Sequence, residues 1–166
     1  MTQWLTEDEQ KSWRAWLAAS LLLRDRLNRE LQEQHGLTLA DYEILVRLSE
    51  LPERRMRMSE LADSTLSSRS RLSHQIDRME RAGLVERQSC ASDRRGANAV
   101  LTELGWTTLV AAAPDHVASV RTHLVDQLSA EDFATLGAAS QQVVEHLQTL
   151  GYNCGGQLEA QATAIA

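Results

Sequence analysis

The most constraining stretch of this 166-residue chain lies between Met58 and Leu101, where short apolar patterns alternate with turn signals. Met56-Arg57-Met58 reads as a short strand. Ser59 then reads as the cap of a brief helix holding Leu61 and Ala62, broken at Ser64-Thr65. Ser67 reads as the cap of a second helix, on which Leu72, Ile76 and Met79 recur at helical spacing and mark one buried face. Gly83 stops it, since glycine enters the left-handed region without steric cost. Leu84 to Gln88 reads as a strand and Asn98-Ala99-Val100-Leu101 as its return, with Ser89 to Gly96 a longer polar loop between them.

Helix, turn, helix and hairpin in that order describe a winged helix-turn-helix. In such a unit the second helix turns a polar face to the major groove while its apolar face packs on the first, and the hairpin reaches flanking DNA. The second helix fits this requirement. Ser67, Ser68, Arg69, Ser70, Arg71, Ser73, His74 and Gln75 supply small and forked donors without an acid; Asp77 and Glu80 come only in its later half.

Charge follows the same division. The chain as a whole carries a net charge of −6, which by itself argues against a polyanion partner. Yet Arg54 to Arg95 holds ten arginines against six acids, a local +4, while the rest holds seven bases against seventeen acids, a local −10. Lys11 is the sole lysine. Arginine's planar fork suits phosphates and guanine edges, although a GC-rich genome would give the same bias.

The flanks are helical. Thr6 and Glu9 form a capping-box pair ahead of a long helix whose stripe runs through Trp13, Trp16, Leu17, Leu21, Leu27 and Leu31 to a stop at Gly36. That helix is longer than a small core needs, so part of its stripe is expected to meet a partner chain. A second helix starts at Thr38, capped through Asp41, and carries Tyr42, Ile44, Leu45 and Leu48. After the hairpin, Thr102 caps a helix expected to reach Leu128 with a kink at Pro114, and Ser129 with Asp132 opens a last one ending at Gly151. The expected division is 1–36 and 103–151 for dimerisation helices, 37–102 for the winged lobe, and 152–166 for a flexible tail.

Several function classes find no support. No apolar run approaches the ~18 residues that span a bilayer, Met1-Thr2-Gln3-Trp4 has no leader character, and two cysteines make no disulfide framework. A cytoplasmic setting is expected. His116 and His123 stand two helical turns apart, about 10 Å, too far to share one ion. Ser73, His74 and Asp77 share one helix without an oxyanion donor, and no phosphate loop or nucleophile elbow occurs. Neither an enzyme, a metal nor a cofactor is expected.

Met58-Ser59-Glu60-Leu61-Ala62, Leu66-Ser67, Leu72-Ser73, Ile76 through Arg87, Asp93-Arg94-Arg95 and Leu101-Thr102-Glu103-Leu104-Gly105, in that order and spacing, resemble the MarR family of bacterial transcriptional regulators. The resemblance covers about residues 7–150. It implies a mainly α-helical homodimer with a small β-hairpin wing, intertwined terminal helices and one DNA-reading lobe per subunit. It also implies a pseudo-palindromic double-stranded operator, often repression, and often release by a small aromatic or phenolic effector. Ser67 to Gln75 then match the recognition helix, Arg94 and Arg95 the wing, and Asp93 a residue that steadies the wing.

In this family an effector pocket lies where the dimerisation helices meet the winged lobe. Trp13, Trp16, Tyr42 and Trp106 are candidates for its walls, with His35 or Arg47 as a polar handle; the same aromatics would equally serve a core or a dimer interface. Cys90, beside the wing arginines, is a candidate thiol switch or a plain exposed thiol. A protein-interaction module that keeps the winged fold without specific DNA binding is the alternative from another class.

Overall fold

The computed structural model describes residues 1–90 and 93–152, with the side chains of 90–95 outside that description. Helix α1 (Glu7–His35) begins where Thr6 and Glu9 satisfy each other's backbone amides, and it stops at Gly36, whose φ of 67° only glycine adopts freely. Helix α2 (Leu39–Ser49) opens on the same device, built from Thr38 and Asp41. A tight turn at Pro52–Arg54 leads to β1 (Arg55–Arg57), α3 (Met58–Ser64), α4 (Arg69–Arg81), β2 (Val85–Cys90) and β3 (Asp93–Leu101). Helix α5 (Glu103–His123) and, after a turn at Val125–Gln127, helix α6 (Ala130–Thr149) complete the chain. The fold is mainly α with a small antiparallel sheet of order β1-β3-β2.

Four details differ from the sequence reading. The first concerns α3, which starts at Met58 rather than after Ser59: β1 pairs with β3 as far as Arg57 opposite Asn98, and the extended Arg57 passes straight into the helix. The second is the cap of α4, which is Ser68, whose hydroxyl accepts from the Arg71 amide. Ser67 cannot serve, because Leu66 takes the left-handed region at φ 50° and the Ser67 amide donates back to the Ala62 carbonyl. Third, the wing ladder is longer than expected, with β3 starting at Asp93 opposite Cys90 and a register shift between Ser89 and Cys90. Fourth, α5 runs on through Pro114 but ends at His123 rather than Leu128.

The core sits under the winged lobe. Ile44, Leu45 and Leu48 of α2, Leu61 of α3 and Leu72, Ile76 and Met79 of α4 are buried against Val85, Ala99 and Leu101 of the sheet. Leu27 and Leu31 from the end of α1 and Leu109 and Ala112 from α5 close it from the other side. The rest of the stripe on α1 is bare, and α6 has no buried residue at all. No helix among the described residues is long and apolar enough to cross a membrane.

Candidate nucleic-acid interface

Burying Leu72, Ile76 and Met79 sets the rotation of α4 and turns Arg69, Ser70, Arg71 and His74 outward. Ser68 caps the helix at the same exposed end. No acid lies in its first turn, so the positive end of the helix dipole and two guanidinium groups face solvent together. That is the electrostatic face a phosphate backbone requires.

The remaining expected contacts on α4 are engaged within the protein. Ser73 gives its carbonyl and hydroxyl oxygens to the Arg87 guanidinium, at 2.9 and 3.3 Å. Gln75 donates to Asp41 Oδ1 at 3.3 Å, and Arg78 donates to the same oxygen at 2.6 Å. Asp77 and Glu80 do not pair with the outward arginines. Both ion-pair with Arg87 on β2. Arg87 therefore bolts the sheet to the flank of the reading helix. Its place in a Leu-Val-Glu-Arg strand was visible in the sequence, but its partners were not. The side chains of Asp93, Arg94, Arg95 and Cys90 lie outside the described residues, as do residues 153–166 of the tail.

Two concavities flank this helix. One, of about 600 Å³, lies between the starts of α2 and α4, with Thr38, Ser70, Arg71 and His74 on its walls. The other, of about 500 Å³, lies between α4 and the sheet and is lined by Arg57, Ser59, Arg69 and Arg87.

A third cavity, of about 660 Å³, is formed by α1, α2 and α5 behind the winged lobe. Tyr42 and His116 tilt together inside it, with ring centroids 4.4 Å apart. Burial pushes the Tyr42 phenol up and the His116 imidazole down, the latter against the pull of Glu43. Burial also raises the Glu50 carboxyl, opposed by the Arg47 charge. His116 Nδ1 and Glu50 Oε2 are buried there without a hydrogen-bond partner, an arrangement that favours a polar group on whatever enters.

Of the pocket residues expected from sequence, Tyr42 and Arg47 line this cavity. The other four lie elsewhere. Trp13 and Trp16 stack on each other at 5.5 Å on the bare part of α1. His35 Nε2 lies 2.9 Å from Asp115 Oδ2. Trp106 lies beneath the Arg54 guanidinium at 4.4 Å. Sequence spacing located the aromatic stripe but not the direction each ring faces. His116, weighed only as a metal ligand, and Glu50 were not read as pocket residues because nothing local marks them as such.

Comparison with known proteins agrees with this geometry. Residues 35–96 match the model of the MarR family. The chain is 54% identical to AbsC, a MarR family transcriptional regulator from Streptomyces coelicolor, with 89% of this chain and 99% of that one covered and a TM-score of 0.82. It is 44% identical to Sco3205 of the same organism, a MarR family regulator solved in complex with DNA, covering 89% and 92% at a TM-score of 0.85. Among curated proteins it is 28% identical over 131 residues to the transcriptional regulator PecS of Dickeya dadantii strain 3937, 76% of each chain.

Proposed function

The chain belongs to the MarR family and is a DNA-binding transcriptional regulator rather than an enzyme; we propose that it acts as a homodimeric repressor whose hold on a pseudo-palindromic operator is released by a small aromatic or phenolic ligand. The observation that carries the reading is the outward face of α4, where Arg69, Ser70, Arg71 and His74 stand clear of the acids among the described residues. In this reading the lobe spanning 37–102 reads DNA, and the helices of 1–36 and 103–151 join two copies in the cytoplasm. The wing arginines Arg94 and Arg95 add contacts beside those of α4, with Asp93 steadying them. The cavity around Tyr42 and His116 supports an effector site, since it combines apolar walls with two unsatisfied polar atoms. A ligand that prefers one spacing of the two reading helices shifts the dimer population away from the DNA-competent form.

The test is a salt titration on a duplex that the wild-type protein selects from a random-sequence library. Binding is expected to weaken steeply with salt, and Arg71→Ala is expected to flatten the slope by about one phosphate. Phenolic acids added at fixed salt are expected to release the duplex from wild type but not from Tyr42→Ala. Weak, salt-insensitive binding to every duplex would sink the DNA reading. Release that is indifferent to Tyr42→Ala would sink the effector site.

A further inference from the structure

Asp41 is one of two polar residues buried among the described residues, only 5% exposed, and its two oxygens serve different elements. Oδ2 accepts from the Thr38 amide at 3.1 Å and from the Thr38 hydroxyl at 2.6 Å, closing the start of α2. Oδ1 accepts from Gln75 at 3.3 Å and from Arg78 at 2.6 Å, both on α4. Gln75 and Arg78 are three residues apart and so share one side of that helix. The opposite side is held by Arg87 through Ser73, Asp77 and Glu80. Between these two flanks lies the outward stripe of Ser70 and His74.

The apolar face of α4 cannot by itself fix the rotation of that stripe. Hydrophobic burial is non-directional, and a slightly rotated helix still buries Leu72, Ile76 and Met79. Hydrogen bonds weaken steeply once misaligned, so they set the angle. Arg78 lies in the basic lobe with its side chain about half exposed, and by charge alone it would be counted among the phosphate contacts. Its guanidinium instead points back at a buried carboxylate.

We propose that Asp41 is a positioning residue for sequence reading: through Gln75 and Arg78 it sets the rotation of the recognition helix against α2, and Arg78 serves as a strut rather than a DNA contact. The proposal rests on specific DNA binding by this chain. Base-edge hydrogen bonds demand the helix setting that Asp41 enforces, whereas phosphate contacts tolerate more slack. Loss of the strut therefore costs discrimination before it costs general affinity.

The experiment compares full-length wild type, Asp41→Asn, Arg78→Gln and the double variant. Each is titrated against the selected duplex and against poly(dI-dC) over a range of salt, with thermal melting recorded alongside. Each single variant is expected to reduce the preference for the selected duplex about tenfold, the scale of one mismatched base pair. The salt slope is expected to stay at the wild-type value, and the double variant to be no worse than either single one. Arg78→Gln changes a half-exposed side chain, so it carries the test even where Asp41→Asn does not fold. A slope reduced by about one phosphate in Arg78→Gln would show a DNA contact and overturn the proposal. Lowered melting with an unchanged preference would show a mere helix cap and overturn it as well. A wild type with no preference between the two DNAs would remove the DNA-reading premise itself.

Discussion

At the scale of single residues, what a side chain does is set by its nearest backbone before its distant neighbours. Thr6, Thr38, Thr102 and Ser129 each cap a helix because their hydroxyls reach an amide three residues on, a relation within one turn of chain. Gly105 stands in the Leu101-Thr102-Glu103-Leu104-Gly105 motif, but only the packing shows why a glycine sits there. Thr102 closes α5 over Leu84, its amide donating to the Leu84 carbonyl at 3.2 Å and its hydroxyl to Gly83 at 2.6 Å. This draws the first turn of α5 onto the loop after α4. A Cβ on Gly105 would overlap the Leu84 carbonyl oxygen and stand 2.7 Å from Leu101 Cδ1. The obstruction is backbone and cannot swing aside. Gly105→Ala is accordingly expected to cost about 3 kcal/mol of stability, read from the urea midpoint; a loss below about 1 kcal/mol would show that the loop gives way.

Between elements, polar side chains supply the registration that apolar packing leaves loose. Glu30 of α1 is the clearest case outside the reading lobe. Its Oε1 lies 2.9 Å from His123 Nε2 at the end of α5. The nearby Ser119 side chain, then His123 and Arg26, hold its carboxyl down from 4.5 to about 2. A depressed carboxyl stabilises the fold above its ordinary value and loses that contribution as pH falls toward the folded one. The stability advantage of wild type over Glu30→Gln is therefore expected to be full at pH 5 and to shrink steadily between pH 4.5 and 2. Urea unfolding of both proteins across that range checks it, and an advantage that does not vary with pH would show that the carboxylate is not what ties α1 to α5. Asp41 and Arg87 do for α4 what Glu30 does for α1. In all three cases the charged group was plain in the sequence while its partner was not. Asp41 was legible as a cap three residues from Thr38, but its partners on α4 lie 34 and 37 residues downstream.

At the scale of the whole molecule, one protomer leaves a set of apolar side chains uncovered. Trp13, Trp16, Leu21 and Leu22 on α1, Val143 and Leu147 on α6, and Leu150 just beyond it are all exposed. A 20-residue helix with no fully buried residue, only Leu136 and Val144 being half-buried, gains little tertiary stabilisation, and a second copy of the chain is the occupant that the proposed function requires. Leu21 is 62% exposed in the single chain, so Leu21→Glu leaves the protomer's own core intact. It is expected to convert a dimer into folded monomers in sedimentation equilibrium and to abolish tight binding to the selected duplex. Wild type that sediments as a monomer at micromolar concentration would refute the assembly. Under the proposed function, the net charge of −6 reads as an average over the basic Arg54–Arg95 segment and an acidic remainder that would repel DNA from other approaches. The sequence by itself determined the order of elements, the caps at Thr6, Thr38, Thr102 and Ser129, the buried face of α4 and the basic Arg54–Arg95 segment, because each is written in relations spanning a few residues. Only the tertiary structure decided which polar groups on α4 face outward and which are tied down. It also placed His116 and Glu50 beside Tyr42, and showed which apolar stripes remain uncovered. Those outcomes depend on contacts between residues far apart in the chain, whose geometry exists only once the core has closed.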